Sequence, residues 1–208
     1  MFVRTMYITT DPADVGPALD VIVKAVPGMI AEQTGFHGIG IFADRTLGKI
    51  LTGSWWESEQ AQMDSDAQLR DRRIEMLAPV ISTITTMSLE AVAYTRPTPG
   101  PAAGAGFRLQ RMMFDPAQAD RIISTFQEAG LPQLEALDGF RGGSMLMDRA
   151  RGMASVGVIY RDMDALAASR GPQAAVRKAA FARMPGVAQL IALEEMEVVE
   201  MDVPTPSA

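Results

Sequence analysis

The chain repeats itself. Sliding its 208 residues along themselves by 104 positions brings Arg4 onto Arg108, Asp11-Pro12-Ala13 onto Asp115-Pro116-Ala117 and Gly35-Phe36 onto Gly139-Phe140, without a gap. At the same offset Gly38 meets Gly142, Asp44-Arg45 meets Asp148-Arg149, Gly48 meets Gly152, Gly53 meets Gly157 and Arg73 meets Arg177. A fixed period constrains the fold more than any single motif, because each copy has to be one structural unit. Helical solenoids need three or more repeats, whereas two copies of about a hundred residues read as two domains. The expected boundaries are residues 1–96 for the first copy, a Pro/Gly/Ala linker at 97–105, residues 106–203 for the second copy, and a short tail at 204–208.

Within one copy, residues 2–10 are β-rich with a loose alternation and predict a strand. Asp11-Pro12 then opens a helix, Asp as cap and Pro in the first turn. Val15, Leu19, Ile22, Val23, Val26 and Ile30 stand at helical spacing, with Pro27-Gly28 expected to kink or split the helix. Residues 36–43 and 49–56 predict a hairpin around Asp44-Arg45-Thr46-Leu47-Gly48, where Asp bonds its own backbone and glycine closes the turn. Ser58 caps a short helix, 69–80 forms another, and 85–94 is the last strand. The order β-α-β-β-α-β is that of a ferredoxin-like unit. The second copy reads the same way at 106–114, 116–137, 139–148, 152–160, 162–184 and 189–201. Strands that are apolar on both faces, such as the one holding Phe36, Ile39, Ile41 and Phe42, predict two sheets packed face to face.

Composition excludes several functions. A net charge of −6 with no basic stripe argues against nucleic acid and against an anionic membrane surface. There is no cysteine, and the single histidine, His37, cannot build a multi-histidine metal site. No signal-peptide pattern opens the chain and no apolar run approaches a membrane span, so the expected location is the cytoplasm.

The segment Gly35-Phe36-His37-Gly38, followed by a hairpin and then by Trp56-Glu57-Ser58-Glu59 entering a helix, resembles the antibiotic-biosynthesis-monooxygenase-like group of dimeric α/β barrels. The resemblance covers the first copy and, more weakly, the second, where Tyr160-Arg161-Asp162 replaces Trp56-Glu57-Ser58. It implies an α+β fold of two tandem ferredoxin-like units packed sheet to sheet as a pseudo-dimeric barrel. It also implies a small-molecule ligand, aromatic in character, in a cleft between sheet and helices. Its haem-degrading branch places a histidine on the helix after the tryptophan and an asparagine in the first strand. Here residues 66–80 contain no histidine, and the first strand offers Met6 and Tyr7.

Six residues are candidates for the site. Trp56 would stack on an aromatic substrate or serve as a core aromatic, and Tyr160 takes its place in the second copy. Trp55, pointing the other way along the strand, is assigned to packing between the sheets. Arg73 and Arg177 stand at one place on two apolar helix stripes, either snorkelling outward or holding an anionic oxygen in the cleft. Tyr7 would supply a phenol, and His37 a base or simply a surface imidazole. Methionines such as Met112 and Met145 fit either an adaptable pocket or an irregular core. The resemblance implies a cofactor-independent monooxygenase with its planar substrate in the cleft of the first copy, Trp56, Arg73 and Tyr7 being the candidate catalytic groups and His37, Tyr160 and Arg177 the candidates against the ligand. The rival reading is a non-catalytic binding or sensory module, favoured by the missing acid/base pair. No metal or cofactor is expected, and nothing in the sequence argues against further self-association of the pseudo-dimer.

Overall fold

The computed structural model describes residues 1–95 and 103–202; the linker expected at 97–105 falls largely outside them, and the tail at 204–208 wholly so. The chain forms two compact units, residues 1–89 with the chain from Val198 onward, and Glu90–Glu197. The divisions fall inside two long strands, β4 (Thr83–Tyr94) and β8 (Ala188–Asp202).

In the first unit, β1 (Phe2–Thr9), β2 (Phe36–Asp44) and β3 (Lys49–Trp56) are antiparallel, with β3 between the other two and β4 beginning beside the end of β1. Helices α1 (Val15–Ala31) and α2 (Glu59–Leu77) pack on one face of this sheet. The second unit repeats the order: β5 (Gly106–Phe114), β6 (Phe140–Asp148) and β7 (Met153–Tyr160) are antiparallel, with β8 beside β5 and the end of β4 beside β6. The fold class is therefore the predicted α+β one of ferredoxin-like units. Among the described residues no helix is long and apolar enough to cross a membrane.

Local chemistry accounts for the element ends. Asp11 and Asp115 accept from the backbone N–H groups of Ala13 and Ala117, at 2.9 and 3.0 Å, ahead of the first helix of each unit. Ser58 and Asp162 cap the next helices through Ala61 and Ala165, at 3.1 and 2.7 Å. Asp44 accepts from Thr46 and Leu47, both at 3.0 Å, and Asp148 from Arg151 at 2.9 Å, so the repeated Asp-Arg pairs are turn residues as predicted. Gly48 and Gly152 close those turns at φ of +66° and +63°, and a Cβ there would sit 2.1 and 2.2 Å from the carbonyl oxygens of Thr10 and Phe114.

Three helical expectations change. The first helix is not split at Pro27, which lies inside it, and α2 is one helix rather than two. The second unit breaks its helices instead. Its first helix passes from α3 (Ala119–Thr125) through a π-helical turn, Phe126–Gly130, into α4 (Leu131–Glu135), where Pro132 lacks the N–H of a regular ladder. Its second is split at Ser169 into α5 (Met163–Ala168) and α6 (Arg170–Ala182). There the Leu166 carbonyl accepts from the Arg108 guanidinium and the Ser169 hydroxyl, both at 2.7 Å.

Each unit buries its own core between helices and sheet. Ile8, Ile22, Ile41, Ile50 and Leu77 anchor the first, and Ile122, Met147, Val158 and Leu166 the second, all fully buried. Each such side chain contributes about 1.5–3 kcal/mol of burial energy. On the sheet face away from the helices, Trp55 lies across the paired glycines Gly40 and Gly53, and a Cβ at Gly40 would meet the Phe42 ring at 2.9 Å.

Candidate functional site: buried arginines under two clefts

On β1, Arg4 shares the helix-facing side with Met6 and Ile8, and it is only 3% exposed. Its guanidinium donates to the Gln62 carbonyl at 3.3 Å and to the Ser65 hydroxyl at 3.4 Å, both on α2. It also lies over the Trp56 ring, 4.9 Å from the centroid. Trp56 is fully buried; its indole N–H donates to Ser54 Oγ at 2.9 Å and Phe36 meets its ring edge-on. Asp66 gathers the neighbouring charges: Arg73 donates to it at 2.5 Å, Arg70 also donates to it, and Arg4 stands 3.8 Å away.

Burial, then repulsion from Arg73, pushes Arg4 down to about 10, against the opposing pull of Asp66. Burial alone would raise the Asp66 carboxyl, but hydrogen bonds from Arg73 and Arg70 hold it below its ordinary value. Two buried guanidiniums thus share one carboxylate, and the Nε–H groups of Arg4 and Arg73 have no acceptor among the described residues.

The second unit keeps the arginine and changes its partners. Arg108, 2% exposed, donates to Ser169 Oγ at 2.8 Å, Gln173 Oε1 at 2.5 Å, the Leu166 carbonyl at 2.7 Å and Glu195 Oε1 at 2.7 Å. Tyr160 stands where Trp56 does in the first unit; its ring underlies Arg108 and its hydroxyl donates to Gln173 Oε1 at 2.7 Å. Burial raises its phenol. Position 170 holds an arginine in place of Asp66, and Arg170 pairs with Glu195 of β8 at 2.7 Å. Hydrogen bonds from Arg170 and Arg108 outweigh burial and hold Glu195 below its ordinary value. Because Gln173 Oε1 accepts from both Arg108 and Tyr160, its amide nitrogen is turned elsewhere. That Nε2 is buried without an acceptor, on a side chain 1% exposed.

A cleft opens between sheet and helices in each unit. The first is narrow and is lined by Arg4, Arg73, Leu69 and Ile39 among others. The second is the larger of the two, with apolar walls that include Phe126, Phe181, Met112, Met145 and Met184. The difference is written in side-chain volume and backbone. Gly130 replaces Val26, and the π-helical turn carries Phe126 and Gly130 at the second cleft. The polar side chains of the second cleft are Gln110, Thr125, Gln173 and Arg177. Arg177 donates to Gln110 Oε1 at 3.4 Å, has no carboxylate partner among the described residues, and is lowered by burial and by Arg108. Gln110 and Gln173 occupy the positions of Met6 and Leu69.

Of the six residues singled out in the sequence, Arg73 and Arg177 line the two clefts. Trp56 and Tyr160 lie beneath Arg4 and Arg108 and line neither described cleft. Tyr7 alternates onto the opposite face of β1 from Arg4, and His37 is exposed at the bulge between Phe36 and Gly38. Sequence reasoning passed over Arg4, Arg108, Gln110 and Gln173. The available signal was a charged residue repeated in an otherwise apolar strand alternation, Arg4 and Arg108. Among the described residues no three His, Asp or Glu side chains cluster as metal ligands.

The two carboxylates make acid stability measurable. With folded values below the ordinary carboxylate range, Asp66 and Glu195 contribute stability above about pH 4 that is lost as pH falls through those lower values. The thermal midpoint is expected to hold down to about pH 5 and then fall, with a shallower acid slope in Asp66→Asn. An identical slope in that variant would remove Asp66 from the acid transition.

No family model matches the sequence. Over 189 residues the chain is 31% identical to the uncharacterized Mycobacterium tuberculosis protein Rv2557, covering 89% of this chain and 80% of that one. The chain belongs to the Rv2557 family. Rv2558 of the same organism is 24% identical to this Rv2557-family protein over 208 residues, 98% of this chain and 86% of its own length. Among solved structures, an anthrone oxidase-like protein superposes with a TM-score of 0.75 at 17% identity, covering 97% of this chain and 92% of that one. A candidate monooxygenase from Lactobacillus acidophilus NCFM follows at 0.69 and 12% identity, covering 97% and 95%. The Rv2557-family chain therefore has the antibiotic-biosynthesis-monooxygenase-like fold that its Gly-Phe-x-Gly and Trp-Glu-Ser segments led us to expect.

Proposed function

We propose that this protein is a cofactor-independent monooxygenase whose enolisable aromatic or polyketide-like substrate binds in the cleft of the second unit. The observation that carries this reading is the Gln173 amide nitrogen, buried without an acceptor among the described residues on a side chain that lines an apolar cleft. A buried donor without an acceptor costs about 1–3 kcal/mol, which a ligand oxygen would relieve. Such a donor stabilises an enolate oxygen more than the neutral ketone, because charge develops there as the proton leaves. Phe126 and Phe181 offer faces for a planar ring, and the methionines adapt to its outline.

The chemistry follows from the substrate. A methylene beside the ring loses a proton to water, its carbanion adds dioxygen, and the hydroperoxide so formed loses water to leave a ketone. One oxygen atom stays in the product and the other leaves in water, so no external reductant enters. The kinship in fold with an anthrone oxidase-like protein supports this class of substrate.

A binding module is the second reading, favoured by the absence of any carboxylate or imidazole among the side chains lining this cleft. Oxygen uptake by the metal-free protein against anthrones and hydroquinones separates the two. Saturable uptake above the buffer rate is expected. Saturable quenching of protein fluorescence by the same compounds, with no uptake, would assign the cleft to binding alone.

A further inference from the structure

The same helix position carries Arg73 in the first unit and Arg177 in the second, and each lines its unit's cleft. Their charge environments differ. Arg73 is 5% exposed and already holds the Asp66 carboxylate at 2.5 Å. Arg177 is half-buried and holds only a neutral amide oxygen, Gln110 Oε1, at 3.4 Å. The residue that would repeat Asp66 is Arg170, which turns to Glu195 and adds positive charge to the second unit. A guanidinium fork matches a planar two-oxygen anion, and inside a low-dielectric cleft it gains more from a carboxylate than from an amide.

We infer that Asp66 satisfies the first-cleft guanidinium, Arg73, from within the chain, as the ligand's own carboxylate satisfies Arg177 in the second. The protein therefore takes one ligand per chain, a planar aromatic compound bearing a carboxylate, with Arg177 holding that carboxylate. This rests on the second-unit cleft being the ligand site and adds the anionic anchor that selects the ligand. Two further substitutions agree with it. Val26 and Leu69 line the first cleft where Gly130 and Gln173 leave space or a donor in the second. Gln173, whose Nε2 is buried without an acceptor among the described residues, lines the same cleft as Arg177 and leaves that donor for the ring oxygen.

The test uses the full chain and 9-anthracenecarboxylate, with 9-anthracenemethanol as the uncharged analogue. Calorimetric titration is expected to give one molecule of the acid per chain, bound about tenfold or more tightly than the alcohol. Arg177→Met, a change at a half-buried side chain, is expected to erase that preference. Equal binding of acid and alcohol by the unaltered protein, or two acids per chain, overturns the inference. In Asp66→Ala the vacated position beside Arg73 is expected to accept acetate, raising the thermal midpoint above that in chloride of equal ionic strength. The unaltered protein and Asp66→Ala/Arg73→Met are expected to show no such difference. An acetate effect absent from Asp66→Ala, or equal in all three, also overturns it. Because none of these readouts involves turnover, failure to consume oxygen would sink the oxidase reading while leaving the anchor standing, and loss of acid preference would do the reverse.

Discussion

Gln173→Glu is expected to lower kcat for oxygen uptake by about 10²–10³ while the protein stays folded, the usual cost of losing one donor aimed at a developing oxyanion. Glutamate has the shape of glutamine. One of its oxygens still accepts from Arg108 and from the Tyr160 hydroxyl, as Gln173 Oε1 does at 2.5 and 2.7 Å. The other oxygen stands where the unpartnered Nε2 was and repels an enolate instead of donating to it. The negative charge added beside Arg108 keeps the fold intact, so a kinetic loss is separable from unfolding. Gln173→Leu copies Leu69 of the first unit and is expected to lose turnover and stability together, since it also deprives Arg108 and Tyr160 of their acceptor. The measurement is the oxygen-uptake rate at saturation alongside the thermal midpoint. Full activity in the glutamate variant with an unchanged midpoint would show that this amide does not face the reacting oxygen.

The second large effect is on stability and is unequal between the two arginine hubs. Arg108→Met is expected to cost about 3 kcal/mol, at the lower end of the range for removing one partner of a buried ion pair. Arg108 binds four groups in the second unit, three of them within 2.5–2.8 Å besides its bond to Glu195. The cost stays at the lower end because Glu195 retains Arg170, and Ser169 and Tyr160 still donate to two of the vacated acceptors. Arg4→Met should cost about 1 kcal/mol or less, in the range of a weak hydrogen bond. Its bonds are long, 3.3 and 3.4 Å, and the Asp66 carboxylate keeps Arg73 and Arg70 when it is gone. Removing it also relieves the repulsion that, with burial, pushes its own proton affinity down to about 10. At about 2–4 °C per kcal/mol for chains of this size, the Arg108 variant is expected to melt several degrees below the Arg4 variant. Equal midpoints would mean that the geometric difference between the hubs carries no energy.

Taken together, the two hubs divide the labour differently in the two units. In the first, the charge left over by two arginines and one carboxylate stays inside a narrow cleft. In the second, Glu195 is tied to Arg108 and Arg170, while Arg177 lines the larger, mostly apolar cleft. Chemistry that needs an anionic ligand is therefore expected in the second unit. The sequence reading had put it in the first, on the strength of Trp56, which lies buried under Arg4.

What the sequence determined by itself is the part governed by short-range physics. The order of strands and helices follows from apolar periodicity, and the caps at Asp11, Ser58, Asp115 and Asp162 from side-chain oxygens within three residues of the N–H groups they accept from. The hairpin turns follow from Asp44 and Asp148 with the positive φ of Gly48 and Gly152. Only the tertiary structure decided where each buried charge finds its partner. Arg4 and Arg108 are one residue type at one repeat position, yet Asp66 lies 62 positions from one and Glu195 lies 87 from the other, on a helix in one case and a strand in the other. The same distance in sequence hid Gln173, whose free amide nitrogen is defined only because Arg108 and Tyr160 claim its oxygen. Periodicity tells which face of an element is buried. Which charge is left unpaired on that face depends on side chains that meet only after the sheet and helices have packed.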